Sequence, residues 1–142
     1  MAFMPTPGYV AAGTLREALT YPHPPQIFDD ARIREAFAAV GLEHFATMLD
    51  ENERWERRLS DNDKQCLMIA RILLQQPRWV VINRALAALD FEVTRRVVAA
   101  FEDHMADVGV IYIGKPTLAS AFFQRTVALV ADPQGPRFRP SV

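Results

Sequence analysis

The sequence has few of the features that mark secreted or membrane-spanning proteins. Its 142 residues include a single cysteine, Cys66, so no disulfide can form within the chain. The first ten residues, MAFMPTPGYV, have neither the basic flank nor the apolar stretch of a secretion signal. No apolar run approaches the roughly 18 to 20 residues that a membrane span requires. These absences predict a cytoplasmic, reduced protein that reaches the inner face of a membrane only through a partner or a missing segment.

Concentrated charge is also absent. The chain has 16 lysines and arginines against 17 acidic residues, and neither sign forms a long block. We therefore expect no nucleic-acid partner, because such partners attract basic patches. Half of the residues are hydrophobic, which is enough for the core of one domain.

The sequence offers few candidate metal ligands or nucleophiles. His23, His44 and His104 have no metal-ligand spacing with one another or with Cys66. We expect these histidines at the surface and Cys66 as a small packing residue. The sequence therefore predicts no metal site and no catalytic residue of these types.

Helical signals dominate the first half of the chain, after a Pro- and Gly-rich dozen residues that predict an extended loop. Thr14 and Glu17 have the spacing of a capping box at a helix start. A second helix is expected from residue 30 to a left-handed cap at Gly41, and a short one over 43–49. Ser60 and Asp63 form another capping box before a long helix that ends near residue 77.

The second half alternates strand and helix signals. Short apolar runs predict buried strands at 79–82, 110–113 and 126–131, and helical periodicity predicts helices at 91–105 and 117–123. Single crossover helices between strands indicate a parallel α/β layer. The predicted fold class is α/β, with a helical subdomain over about 14–76 and a small, mostly parallel sheet over about 77–133.

The environments of four aromatic residues can also be predicted. Trp55 and Trp79 are expected as core anchors. Phe122 and Phe123 are neighbours in the sequence and cannot both point inward on a short helix, so one of them is expected at a contact surface.

Segment 59–90 reads LSDNDKQCLMIARILLQQPRWVVINRALAALD. It resembles an ABC-transporter ATPase domain from the signature motif through the Walker B strand to the D-loop. The string GTLREALTYP at 13–22 is similar to the segment after the Q-loop, and VIYIGKPTL at 110–118 to the H-loop strand. Trp55 and GTLREAL are similar to the subgroup fused to membrane domains that move peptides or fatty-acyl compounds. The resemblance implies the C-terminal half of a partial P-loop NTPase domain of ABC type.

The resemblance also implies which positions correspond to the family's functional motifs. Thr6 aligns with the Q-loop glutamine and Lys115 with the H-loop histidine. Three further motifs have equivalents here: the signature at Leu59, Ser60, Asp61, Asn62, Asp63 and Gln65; Walker B at Asn83 and Arg84; and the D-loop at Ala87, Ala88, Leu89 and Asp90.

A phosphate-binding loop, G-x-x-x-x-G-K-[ST], does not occur in the sequence. The string GVIYIGKPT at 109–117 has the two glycines and Lys115 but a proline in place of the hydroxyl residue. Its four intervening residues are all strand formers, which is inconsistent with a phosphate loop.

The residues at the motif positions predict a domain that does not hydrolyse ATP. In the family, an aspartate and the following glutamate hold magnesium and orient the attacking water, and here these positions are Asn83 and Arg84. A neutral amide is a weak ligand for a hard dication. Asp61 and Asp63 would repel a nucleotide phosphate at the signature helix. We expect no cofactor, and ATP with magnesium would bind only if the missing half were supplied.

Several functions remain open from the sequence. The chain could be a non-catalytic module that binds a transporter or sister ATPase, or part of a longer transporter that retains nucleotide binding. A third alternative is a receptor in which Arg84 and Lys115 hold an anion. Family domains pair head to tail, which raises the hypothesis of a homodimer in which Asp61 and Asp63 face Arg84 and Lys115 of a second copy. Sedimentation of an Asp61→Lys variant at low salt would test that hypothesis.

Overall fold

A computed structural model describes residues 1–6, 8–115, 122–129 and 138–140. Seven strands and five α-helices lie within these ranges, in an order that begins with a strand. The helices are α1 (Leu15–Thr20), α2 (Asp30–Val40), α3 (Trp55–Arg58), α4 (Asp61–Gln75) and α5 (Phe91–His104). The strands are β1 (Ala2–Met4), β2 (Gly13–Thr14), β3 (Asn52–Glu53), β4 (Trp79–Asn83), β5 (Gly109–Ile113), β6 (Val127–Leu129) and β7 (Phe138–Pro140). Short 3-10 turns occupy Pro25–Ile27, Glu43–Phe45 and Ala85–Ala88.

Three of the strands form a parallel sheet in the order β1-β4-β5. Phe3 pairs with Val81, and Val81 pairs with Ile111 on the other side of β4. Two separate antiparallel pairs, β2 with β3 and β6 with β7, complete the described strands.

Helices α2, α4 and α5 pack together beside one face of the parallel sheet. Helix α4 is the centre of this layer, with ten consecutive residues from Gln65 to Leu74 buried. Met4, Val80 and Ile82 bring the sheet into the same hydrophobic core, because alternate residues of a strand point to the same face. The molecule is therefore a helical layer on one side of a small parallel sheet.

The predicted helix ends agree with the structure. Thr14 with Glu17 and Ser60 with Asp63 both form complete capping boxes. Helix α2 ends at Gly41, whose φ of 79° is in the left-handed region that glycine adopts without steric cost. Local side-chain and backbone chemistry thus sets where these helices begin and end.

Three predictions about strands and turns were wrong. The first dozen residues are not all loop, because Ala2–Met4 forms β1 in the parallel sheet. Strand β6 pairs antiparallel with β7 rather than joining β4 and β5. The helix expected over 43–49 is a 3-10 turn of three residues, Glu43–Phe45. The helix expected at 117–123 lies largely outside the described residues.

The two tryptophans differ in environment. Trp55 is 1% exposed and donates from Nε1 to the carbonyl of Glu51 at 2.9 Å, as expected for a core anchor. Trp79 is 52% exposed, so its prediction as a core residue was wrong. The position of Trp79 in β4 directs it away from Val80 and Ile82, to the opposite face of the sheet.

The remaining predictions of burial can be compared directly. His23, His44 and His104 are exposed and Cys66 is buried, as expected. Phe122 and Phe123 are both half-buried; the first lies against Phe101 and the second stacks on Tyr112. None of the described helices is long and apolar enough to cross a membrane.

Candidate functional site

The carboxyl ends of β1, β4 and β5 meet at one edge of the parallel sheet. Thr6 follows β1, and its Oγ1 donates to the backbone carbonyl of Asn83 at 3.1 Å. The backbone N–H of Arg84 donates to the carbonyl of Ile113, the last residue of β5, at 2.9 Å. The structure therefore brings together three of the residues singled out in the sequence, Thr6, Asn83 and Arg84. Ligands of open α/β sheets bind at this edge.

Arg84 has a left-handed backbone conformation, with φ at 60° and ψ at −4°. A residue with a Cβ rarely adopts this conformation, and it costs about 1 kcal/mol or more unless the surroundings impose it. Here the bond from Arg84 to Ile113 fixes the backbone as the chain turns from β4 into Ala85–Ala88. The guanidinium-bearing side chain is exposed at the sheet edge.

Tyr112 is a polar residue of this edge that the sequence did not single out. Its hydroxyl oxygen is buried and has no hydrogen-bond partner among the described residues. Burial raises the pKa of Tyr112, and the charge of Arg84 partly offsets that rise. A Cβ on Gly114 would lie 2.6 Å from the Tyr112 hydroxyl, so glycine leaves room for it. The only sequence signal was strand alternation, which places Tyr112 on the same face as Val110.

Lys115 lies two residues beyond the end of β5 and is exposed. It contributes a second cation at the carboxyl edge of the sheet. The residues gathered there from the sequence prediction are thus a hydroxyl, an amide, a guanidinium and an ammonium group, with no carboxylate among them.

The start of α4 holds the signature-like residues. The carboxylate of Asp63 accepts hydrogen bonds from the backbone N–H of Ser60 at 3.1 Å and from its Oγ at 2.6 Å. Asp61 is almost fully exposed and pairs with Lys64, with 3.2 Å between Nζ and Oδ1. Carboxylates from the chain itself therefore lie at the positive end of the helix dipole, where an external anion would otherwise be favoured.

The remaining signature-like residues are Leu59, Asn62 and Gln65. Leu59 is buried and Asn62 is partly exposed. Gln65 is 3% exposed, and its Oε1 has no hydrogen-bond partner among the described residues. A Cβ on Gly8 would lie 2.9 Å from the carbonyl oxygen of Lys64, so Gly8 lies directly against α4.

The D-loop-like residues span the end of a turn and the start of α5. Ala87 is exposed and Ala88 ends the 3-10 turn, while Leu89 is half-buried. Asp90 is the N-cap of α5 and accepts from the backbone N–H of Val93 at 2.9 Å. Asp90 therefore stabilises the helix start, a contact that the sequence analysis did not predict.

The two groups of motif residues are separate within one chain. Among the described residues, no hydrogen bond or ion pair joins Asp61 or Asp63 to Arg84 or Lys115. The described part of the chain also has no cluster of histidine, cysteine and acidic residues that could hold a metal ion. The arrangement can attract anions at the sheet edge and cations at the start of α4.

No protein-family model matches the chain, but individual relatives do. An uncharacterized ABC transporter ATP-binding protein of Synechocystis sp. is 33% identical over 124 residues, covering 83% of this chain and 18% of that protein. An ATP-dependent lipid A-core flippase of Bordetella pertussis is 33% identical over 128 residues, covering 84% of this chain and 17% of that protein. The chain thus spans less than a fifth of the length of these relatives.

The fold is also similar to that of a solved protein. A solved bacterial Atm1-family ABC exporter with ATP bound is similar to 92% of this chain, with a TM-score of 0.72 and 20% sequence identity, and the match covers 23% of that exporter chain. Several ABC-transporter relatives each cover most of the present sequence. The chain therefore matches, in sequence and in fold, part of an ABC-transporter ATPase domain.

Proposed function

We propose that this chain is a degenerate, non-hydrolysing ABC ATPase-like module that acts in the assembly or regulation of a transporter or sister ATPase. The observation that supports this function is the chemistry of the carboxyl edge of the sheet. Asn83 and Arg84 lie there together, and Arg84 is held by the bond of its backbone to Ile113. Phosphoryl transfer needs a bound metal and an oriented nucleophile, and an amide followed by a guanidinium supplies neither.

The start of α4 supports the same function. In the proposed correspondence, this helix start is the signature motif, which faces a nucleotide on a partner domain. The capping box of Ser60 and Asp63 uses the backbone N–H groups of these two residues, which are two of the free donors at the helix start. Asp61 adds a second negative charge nearby. A phosphate approaching this end would meet the capping carboxylate of Asp63 and the Asp61–Lys64 ion pair, so we propose that the helix start no longer binds nucleotide.

The organisation of the chain suits a docking role. We propose that residues 14–76 act as a helical subdomain and residues 77–133 as an α/β part, to which β1 adds a strand. The partner would be a second copy, a transporter membrane domain or a sister ATPase, and attachment to the inner face of a membrane would be through that partner. The relatives are named as transporter proteins, which supports this class of partner.

A second candidate is a segment of a longer ABC transporter that retains nucleotide binding. The coverage of the relatives favours this alternative, because the chain corresponds to only 18% and 17% of the two compared proteins. In that case the phosphate loop would be supplied from outside the present sequence. The two candidates differ in whether a phosphate loop lies upstream of the present residues in the same polypeptide.

Calorimetric titration of the full chain with ATP and magnesium tests the proposal. We expect no saturable heat up to about 1 mM nucleotide, corresponding to a binding free energy weaker than about −4 kcal/mol. Arg84→Ala is the matched variant, and it should behave like the parent. Micromolar, magnesium-dependent binding would contradict the proposal. Binding that needs no magnesium and is lost in Arg84→Ala would instead indicate an anion receptor.

A further inference from the structure

Three of the five described α-helices have no basic residue in their own last turn. These are α1, α2 and α4, whereas α3 ends with Arg57 and Arg58 and α5 ends with His104. The carboxyl end of a helix is negative and leaves backbone carbonyls without a partner inside the helix, so a cation is favoured there. In this structure an arginine from another helix lies at each of the three ends.

The end of α2 is covered by Arg96 of α5. Gly41 is the C-cap of α2, and a Cβ built on it would lie 2.5 Å from Nη1 of Arg96 and 3.6 Å from Cζ. The guanidinium therefore lies against the backbone of the cap residue. Because the guanidinium is the end of a flexible side chain, a methyl group added at Gly41 would displace it.

The ends of α4 and α1 are each bound by an arginine through a hydrogen bond. Arg32 of α2 donates from Nη2 to the carbonyl of Leu74, near the end of α4, at 3.1 Å. Arg71 of α4 donates to the carbonyls of Ala18 and Leu19 in the last turn of α1. Among the described residues, none of these three arginines forms an ion pair with a carboxylate. Their charge is therefore available to the helix ends.

We infer that Arg96, Arg32 and Arg71 form an arginine latch that holds α5, α2, α4 and α1 in one fixed arrangement. Helix α4 begins after the signature-like Ser60, and α5 begins after the D-loop-like Asp90. Both helices are joined to α2 by the latch, so the latch fixes the separation of these two helix starts. The inference goes beyond the proposed function, because it depends neither on nucleotide nor on a partner.

The latch adds direction to the packing of the helices. Helices α4 and α5 both pack against α2, but hydrophobic contact is non-directional and allows one helix to slide along another. A cation is attracted to a helix end only within the last turn, so it fixes the position along the helix axis. Arg32 lies in the first turn of α2 and Gly41 at its other end. Helix α2 is therefore held at both ends.

Arg96→Ala in the full chain tests the latch. Arg95→Ala is the matched control, since Arg95 is the neighbouring exposed arginine and pairs with Glu92 of the same helix. Urea unfolding measures the unfolding equilibrium constant. We expect Arg96→Ala to raise this constant about fivefold, because a cation at a helix end is stabilising, and Arg95→Ala to change it less than twofold. In about 0.5 M NaCl the effect of Arg96→Ala should fall to that of the control, because salt screens the charge.

Gly41→Ala completes a double-mutant cycle with Arg96→Ala. Alanine is strained at a φ of 79° in both chains, but it displaces the guanidinium only where Arg96 is present. We therefore expect Gly41→Ala to raise the unfolding constant about threefold more in the parent than in Arg96→Ala. If a Gly41 variant does not fold, hydrogen exchange of the Leu42 amide, which donates to the carbonyl of Phe37 at 2.8 Å, replaces the cycle. This amide should exchange faster in Arg96→Ala than in Arg95→Ala.

Three results would overturn the latch. The first is an equal unfolding constant for Arg96→Ala and Arg95→Ala. The second is an equal effect of Gly41→Ala in the two chains or, where exchange replaces the cycle, equal exchange of the Leu42 amide. The third is an effect of Arg96→Ala that salt leaves unchanged, which would assign it to packing of the side chain.

Discussion

At the residue scale, Cys66 illustrates how burial controls reactivity. The thiol is 1% exposed within α4. Burial is the largest cause that raises the pKa of Cys66 to about 12, and the negative charges of Asp63 and Asp90 add to it. Since the thiolate is the nucleophilic form, the group is inert near neutral pH. Cys66 is therefore a packing residue and not a nucleophile.

We expect Cys66 to resist a thiol-specific disulfide reagent at pH 8 in the folded chain and to react fully in urea. The unfolded thiol ionises above its ordinary pKa of 9.0, whereas the folded thiol stays protonated to about 12. Stability is therefore unaffected below pH 9 and falls as pH rises above it. Between pH 8 and 10.5, the parent should lose about 2 kcal/mol more than Cys66→Ala in urea unfolding. Equal losses in both chains would show that this burial is absent.

At the element scale, Arg71 connects α4 with two other segments. Its guanidinium donates to the backbone carbonyls of Ala18 and Leu19 at the end of α1, and to that of Tyr9 at 3.2 Å. Helix α1 has no basic residue of its own in its last turn. The buried cation of α4 thus satisfies free carbonyls at the negative end of α1. Burial lowers the pKa of Arg71, but a guanidinium remains charged in proteins.

Arg71→Met should destabilise the chain by roughly 3 kcal/mol, because buried carbonyls that lose a charged donor cost about 1 to 3 kcal/mol. Urea unfolding measures the difference. Arg57→Met is the control, since Arg57 is exposed, and its effect should stay within about 0.5 kcal/mol. A similar small effect for both variants would mean that the Arg71 contacts contribute little.

The elements that could be predicted from sequence are those whose signals are local. Ser60 and Asp63 are three residues apart, and their mutual hydrogen bonds decide where α4 begins. Strand β1 has three residues and exists because it pairs with β4, which is distant in the sequence. A pattern of three neighbouring residues does not predict a pairing with a strand so distant in the sequence. The burial predicted for Trp79 was wrong for the same reason, since its residue type favours burial but its strand position faces away from the helices.

At the scale of the whole molecule, the candidate site depends on the chain order of three strands. Thr6, Asn83 and Arg84 meet because β1 and β4 are parallel and end at one edge. The resemblance to ABC ATPases predicts these residues from the sequence alone. Tyr112 could not be found in that way, because the position of its hydroxyl depends on Gly114 and on the pairing of β5.

Four charged residues at the motif positions fall into two separated groups. Arg84 and Lys115 lie at the sheet edge, and Asp61 and Asp63 lie at the start of α4. The head-to-tail homodimer that would bring these groups together between two copies stays a prediction. Exposed ion pairs contribute only about 0 to 1 kcal/mol each, so such a dimer would need further apolar contact.

Release of inorganic phosphate from ATP with magnesium by the purified full chain is the most direct test of the central claim that the module does not hydrolyse ATP. We predict release at the level of a protein-free control. Restoring carboxylates with Asn83→Asp and Arg84→Glu together should leave the rate unchanged, because the sequence contains no phosphate loop. Steady release by the parent that is abolished in Arg84→Ala would contradict the account.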